Sequence, residues 1–322
     1  MRLRPVVRAL GNRNVLFIGA VLLGIAVGDW AVHTKAWTLP ALALAMALSS
    51  TQVENSAFWP LRRLVRPALV SVLLSFVLEG AAILVSARLL VPDPELWPGF
   101  VMAAATPPAA GIVAFTDIAG GDVTFSLLGM VGAYLGSMVI TPAMVLLLAG
   151  ETAVEPLALA RLLLQLVLIP LIASRAILAS PLKGPIARWR SSIANWAFAL
   201  VLFTITGLNR EVFFGEPRLV LLIALVNVMR TFGLAIAIER VMAWRQAGRP
   251  RQISYVLMAT LKNSGFAAAT ALALFGERTA IPSGVAGAVA VVYLLWLGIR
   301  WGKAAEASEA QAASKAAAER AR

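Results

Sequence analysis

The sequence predicts an all-α membrane protein of ten transmembrane helices, built as two five-span repeats of opposite orientation with interrupted fourth and ninth helices. Three observations carry this prediction: an apolar composition cut into span-length units, a charge asymmetry between alternate loops, and an internal repeat separated by an odd number of spans.

Of 322 residues, 60% are hydrophobic and 14% charged, whereas a soluble domain carries about 25% charged residues. Mean hydropathy is +0.83. A bilayer-crossing helix needs ~20 mostly apolar residues, because lipid offers no partner for backbone N–H and C=O groups. The lipid bilayer is therefore the expected surrounding. The formal charge of +12 would suggest nucleic acid in a soluble protein; here the basic residues sit in short loops between spans, which excludes that partner class. With no cysteine there is no disulfide, thiolate metal site or cysteine nucleophile, and a lone His33 rules out a histidine cluster. No metal or other cofactor is expected.

Apolar runs fall at 14–32, 37–52, 67–91, 97–120, 122–149, 157–180, 191–209, 217–243, 252–275 and 280–302. The first follows Arg2, Arg4, Arg8 and Arg13 but lacks a small-x-small cleavage site, so it reads as a retained span. Lys and Arg are enriched in cytoplasmic loops. Alternate assignment puts 20 basic residues on one side and six on the other, with Arg230 and Lys262 inside spans. Both termini are then cytoplasmic and the expected location is a bacterial inner membrane. The division is residues 1–13, a first repeat over 14–150, a second over 156–303, and a tail over 304–322 that is helical or loose.

The repeat appears when the chain is slid by 155 residues. Gly121-Asp122-Val123-Thr124 falls on Gly276-Glu277-Arg278-Thr279, and Gly129, Gly132 and Ala133 fall on Gly284, Gly287 and Ala288. Five intervening spans place the second copy upside down, an architecture of secondary transporters whose site lies where discontinuous helices meet.

Within the repeat, Thr106-Pro107-Pro108 corresponds to Leu261-Lys262-Asn263, followed by Ser264 and Gly265. Two prolines remove two donors, and Asn-Ser-Gly is a turn or cap sequence in the middle of a span. Each span is expected to split into half-helices whose N-terminal amides face one another and favour an anion; the plain alternative is a pair of packing kinks. A mid-span ammonium costs ~3 kcal/mol or more unless paired or hydrated, which makes Lys262 a functional candidate. Glu79 and Asp117 are its candidate partners, and Arg230 is a second buried cation needing an anion. Asp122 and Glu277 read as helix caps, the repeated glycines as close-packing positions, and Trp30, Trp37, Trp59 and Trp97 as interfacial anchors.

These segments resemble the bile acid:sodium symporter family over nearly all of residues 10–303. The carriers are Ala105-Thr106-Pro107-Pro108 through Gly121-Asp122-Val123, with Thr141-Pro142, and Lys262-Asn263-Ser264-Gly265-Phe266-Ala267. Family members read Cys-Pro-Gly-Gly-x-x-Ser-Asn followed by Gly-Asp in the first and Gln-Asn-Ser-Gly-Leu-Ala in the second. The resemblance implies ten spans, a panel and a core domain, and broken fourth and ninth helices that cross, as in the related sodium/proton antiporter fold.

The departures fall on the family's sodium ligands. Ile112 and Val113 stand for the Ser-Asn pair, Met258 for the ninth-span Glu, Lys262 for the Gln and Ser75 for the third-span Gln. Neither sodium site survives these replacements. The expectation is a divergent, sodium-independent carrier of a small or amphipathic organic anion, with Lys262 in the place of the missing cation and a proton as candidate coupling ion. The competing readings are a cation/proton antiporter using Asp117 or Glu79, and a non-transporting receptor or scaffold. Arsenite efflux is disfavoured without a fourth-span cysteine, and no nucleophile, base and metal grouping suggests an enzyme.

Overall fold

A computed structural model describes residues 13–51, 61–109, 111–149 and 156–320. Trp59 lies outside them. All regular elements among the described residues are helical.

The chain opens with α1 (Arg13–Ala26), turns at Gly28, and runs through short 3-10 and α-helical turns into α2 (Thr38–Ser50). Helix α3 comprises Leu61–Val72, a π-helical turn over Leu73–Glu79, and Gly80–Leu90. Two half-helices follow, α4a (Trp97–Ala105) and α4b (Ile112–Ile118), then α5 (Val123–Leu148). Helix α6 joins Pro156–Leu163 and Ile169–Ala179 through a π turn, and α7 spans Lys183–Leu208. Helix α8 comprises Pro217–Val228, a π turn over Met229–Gly233, and Leu234–Trp244. The half-helices α9a (Arg249–Thr260) and α9b (Ser264–Phe275) precede α10 (Ile281–Arg320), which takes up most of the tail.

Local sequence accounts for the breaks. Prolines 98, 217 and 250 sit in the first turns of their helices, where no N–H is needed. Thr106 precedes a proline and is extended, with ψ 149°, which stops α4a. Gly120 and Gly276 adopt φ +72° and +101°, a left-handed backbone that glycine enters without Cβ strain, and so turn the chain into its next segment.

The ten-span count is not matched by helix length. Six helices among the described residues are long and apolar enough to cross a bilayer, or seven if the pair 15–26 and 28–50, bent by 96°, forms one span. The physical reason is twofold. At about 1.5 Å per residue, the 14 residues of α1 fall short of a ~30 Å hydrocarbon core. The fourth and ninth segments are each divided into halves.

Packing sorts the helices into two groups. Helix α7 packs on α1 and α2, and α6 packs on α2. Helices α3 and α5, α8 and α10, and α4a and α9b pair off in the other group. Gly132 shows how close the α3–α5 approach is: a Cβ there would lie 2.1 Å from that of Ala68.

Asp122 caps α5, its Oδ1 accepting from the Phe125 N–H at 2.9 Å. Glu277 occupies the cap position before Arg278 but its side chain makes no capping hydrogen bond. Its carboxylate instead meets Lys35 at 2.6 Å, because the loop between α1 and α2 brings an ammonium within reach.

Candidate functional site

The two interruptions lie side by side. The Ala109 N–H donates to the Leu261 carbonyl at 2.8 Å, and the Asn263 N–H donates to the Pro107 carbonyl at 3.1 Å, so the unwound stretches pair as a short antiparallel bridge between Pro108 and Lys262. The broken helices therefore cross. The expectation of half-helix amides free for an anion is corrected in part: Ala109 and Asn263 satisfy the facing carbonyls, and the Asn263 side chain caps α9b by accepting from the Phe266 N–H at 3.1 Å.

Lys262 is buried within this unwound stretch, not in a continuous helix. Its ammonium donates to the carbonyls of Ala104 at 2.9 Å and Thr106 at 2.7 Å. Those carbonyls sit at the end of α4a, where Pro107 and Pro108 supply no N–H. The ammonium also lies 4.6 Å from the centre of the Phe76 ring. It thus occupies the place of a cation at the negative end of a half-helix. Thr106 turns its own hydroxyl to the Ala103 carbonyl at 2.9 Å.

Of the two candidate partners of Lys262, Glu79 is paired with Arg230, the second buried cation that needed an anion. Both side chains are buried. Each comes from a π-helical turn, Glu79 in α3 and Arg230 in α8. Arg230 Nε also donates to Asn227 Oδ1 at 2.9 Å, and Asn227 Nδ2 donates to the Ile223 carbonyl. The second oxygen of Glu79 and the hydroxyl of Ser75 are buried without hydrogen-bond partners. Lys262 remains within electrostatic reach of both Glu79 and Arg230. Asp117 does not join them. It is exposed near the end of α4b, where the helix has already carried it away from the crossing.

A cavity of about 70 Å³ adjoins the crossing, bordered by Ala109 and Gly111 of one break, Lys262, Asn263, Ser264 and Gly265 of the other, and Phe17, Phe198 and Leu202 from α1 and α7. It lies between the two helix groups. Asn263 Nδ2 lies 3.2 Å from both Met46 Sδ in α2 and Tyr134 Oη in α5. Those two residues border a second cavity of about 40 Å³ that also includes Ser49 and Arg175. Met46 and Tyr134 were not anticipated from the sequence. Tyr134, one of three tyrosines in the chain, carries a hydroxyl in the middle of an apolar segment, and that was the available signal.

Comparison with curated proteins finds no match. The profile of the SBF-like CPA transporter family, a bile acid:sodium symporter-like group, matches residues 16–299. That match takes in every helix that forms the crossing and its flanking cavities, so this multi-pass membrane chain belongs to the SBF-like CPA transporter family.

Proposed function

We propose that the protein is a secondary carrier of a small or amphipathic organic anion, independent of sodium and coupled to protons. The charge balance at the crossing carries this reading. Among the described residues, Lys262 and Arg230 face one carboxylate, that of Glu79, leaving an excess positive charge in an apolar surrounding where an unpaired charge is costly. An anion in the cavity beside Lys262 offsets that excess, and so does loss of the lysine proton. The fixed ammonium on the Ala104 and Thr106 carbonyls supplies the charge that a bound sodium ion would otherwise bring.

Two inverted five-span repeats, 14–150 and 156–303, provide the scaffold, with ten segments crossing an inner membrane and both termini in the cytoplasm. Element boundaries support the pairing at the 155-residue offset. The π turn Leu73–Glu79 overlaps Met229–Gly233, the α4a/α4b break falls on the α9a/α9b break, and the start of α5 falls on the short turn Arg278–Ala280 that leads into α10. Thr106, Pro107, Pro108, Asn263 and Ser264 shape the anion site in this reading, and rocking of the α1–α2–α6–α7 group against the other group exposes it alternately.

Uptake of short-chain and amphipathic carboxylates into proteoliposomes tests the proposal. Wild-type uptake is expected to ignore a sodium gradient, to follow a proton gradient, and to vanish in Lys262→Gln; sodium-driven uptake overturns it. The free oxygen of Glu79 favours a second reading, cation/proton antiport. Proton release on adding a monovalent cation, with no organic anion present, would select that one.

A further inference from the structure

The gap between the two helix groups is sealed at one end of the bundle and hollow toward the other. The sealed end is the rim where the loops after α1, α3 and α9b meet: Arg278 pairs with Asp93 at 2.7 Å, and Glu277 with Lys35 at 2.6 Å. Beneath that rim, Leu42 of α2 and Val201 and Ile205 of α7 share one buried apolar cluster with Val101 of α4a and Phe266 and Ala269 of α9b. Toward the opposite end, the cavity beside Lys262 shares Phe115 and Leu294 with a further cavity of about 480 Å³ that reaches Arg249, at the start of α9a, and Trp301 of α10.

Both sides of the Lys35–Glu277 contact rest on firm supports. The loop that carries Lys35 is seated on α7: the Thr34 and Thr204 hydroxyls lie 2.7 Å apart, and a Cβ on Gly207 would lie 2.6 Å from that of Ala31. The loop that carries Glu277 is seated on α9b and α4a. The Thr279 hydroxyl donates to the Gly276 carbonyl at 2.7 Å and the Ala271 carbonyl at 3.1 Å, and a Cβ on Gly99 would lie 2.1 Å from the Thr279 carbonyl oxygen. Other ion pairs among the described residues stay within one group. Asp29 and Arg210 join the turn after α1 to the one after α7, while the pairs of Glu79, Glu239 and Arg278 lie in the second group. Among the described residues, Lys35–Glu277 alone bridges the two.

We propose that Lys35 and Glu277 form a latch that holds the rim end of the gap shut in this conformation and parts when the site opens to that end. This rests on the alternating exposure proposed above and adds the residues that oppose it. Their setting suits a reversible contact. The two side chains are 48% and 43% exposed, so both charges regain water on parting, and the pair favours the closed arrangement by about fivefold without locking it. Because each loop is seated on its own group, parting the pair carries α4a and α9b, and with them the crossing, away from α2 and α7.

The chain contains no cysteine, so a single thiol reports without background. Val201→Cys, near-isosteric and buried in the seal, is treated in right-side-out and inside-out vesicles with an uncharged, membrane-impermeant maleimide on a short polyethylene glycol. Labelling rates are then compared among latch variants. Lys35→Glu, which sets two carboxylates against each other, is expected to raise labelling from the rim face by about fivefold or more. The swap Lys35→Glu with Glu277→Lys should return it to the starting rate, as a true pairwise term requires. Arg210→Gln, which breaks an ion pair inside one group, should leave it unchanged. Labelling that ignores Lys35→Glu, a swap that does not restore it, an equal rise in Arg210→Gln, or a thiol inert from both faces in every variant overturns the latch. Labelling needs no substrate. A latch that fails while carboxylate uptake persists leaves the proposed function standing, and one that responds and is restored without any organic-anion uptake sinks that function alone.

Discussion

Two clusters of charge in this protein are built in opposite proportions. At the crossing, two buried cations, Lys262 and Arg230, share one carboxylate, Glu79. At the rim, one guanidinium, Arg278, is surrounded by three carboxylates: Asp93 at 2.7 Å, Glu216 at 2.8 Å and Glu95 at 3.2 Å. Both are imbalanced, but only one imbalance is expensive. Arg278 is 34% exposed and Glu95 72% exposed, so water and salt screen the surplus negative charge. Around Lys262 the protein has to screen the surplus itself, and does so with the carbonyls at the end of α4a and the face of Phe76. The interior imbalance is the one that the proposed carriage of an anion draws on, whereas the imbalance at the rim is screened by solvent.

The sharpest way to break this comparison is to remove the shared carboxylate. Glu79→Gln leaves two buried cations with no anion, and the expected loss of stability is about 3–5 kcal/mol, seen as a lower unfolding temperature in detergent. An unchanged melting temperature would mean that the interior imbalance is already screened by something other than Glu79.

Lys262→Met is expected to cost less, roughly 1–3 kcal/mol, since two carbonyls lose a donor while the remaining Glu79–Arg230 pair becomes neutral. The double variant gives the finer test. Removing Glu79 and Lys262 together should be less damaging than Glu79→Gln alone, because only one unpaired cation remains. Strict additivity of the two single effects would show that Lys262 and Glu79 do not share a charge balance.

How far these clusters were visible in the sequence follows from their chemistry. The breaks were legible because Pro107-Pro108 and Lys262-Asn263-Ser264 violate helix rules whatever surrounds them. The candidate cations were legible for a similar reason, since charge in an apolar segment stands out. Their partners were not. Asp117 looked as good as Glu79 by position along the chain, but choosing between them requires knowing which helix faces cross, and the π turns in α3 and α8 shift the phase that bare helical periodicity assumes. Glu277 shows the same limit at the rim: its place before a helix resembles that of Asp122, yet Lys35 lies 242 residues away in sequence and claims its carboxylate. The bend between α1 and α2 was likewise hidden, because hydropathy registers apolar length and is blind to direction.

Asn263 occupies an intermediate level between the two clusters, neutral but buried. Asn263→Ala removes the cap of α9b and the donor facing Tyr134 and Met46; the expected cost is about 1 kcal/mol, from the cap chiefly. Asn263→Ser keeps an oxygen for the Phe266 N–H and loses the amide donor without adding a buried charge beside Lys262. If the cap dominates, Ser should recover most of the melting temperature lost in Ala; a deficit equal to that of Ala would assign the stability to the contacts with Met46 and Tyr134 instead.

The smallest effect is expected at the rim and depends on pH. Glu216 accepts two hydrogen bonds from Arg278, at 2.8 and 2.9 Å, and that bonding holds its carboxyl below the usual carboxylate range. A group whose pKa is depressed on folding contributes stability that is fully present above its unfolded value, about 4.3 for Glu, and is lost as pH falls through the lower folded value. The melting temperature of the wild type should therefore decline slightly more than that of Glu216→Gln below about pH 4, and the two curves should run parallel near neutrality. Raising the salt should shrink the difference, since the pair is exposed to solvent. A difference that is large, or that persists unchanged in high salt, would place the rim cluster in a low-dielectric setting like that of the crossing and remove the contrast between them.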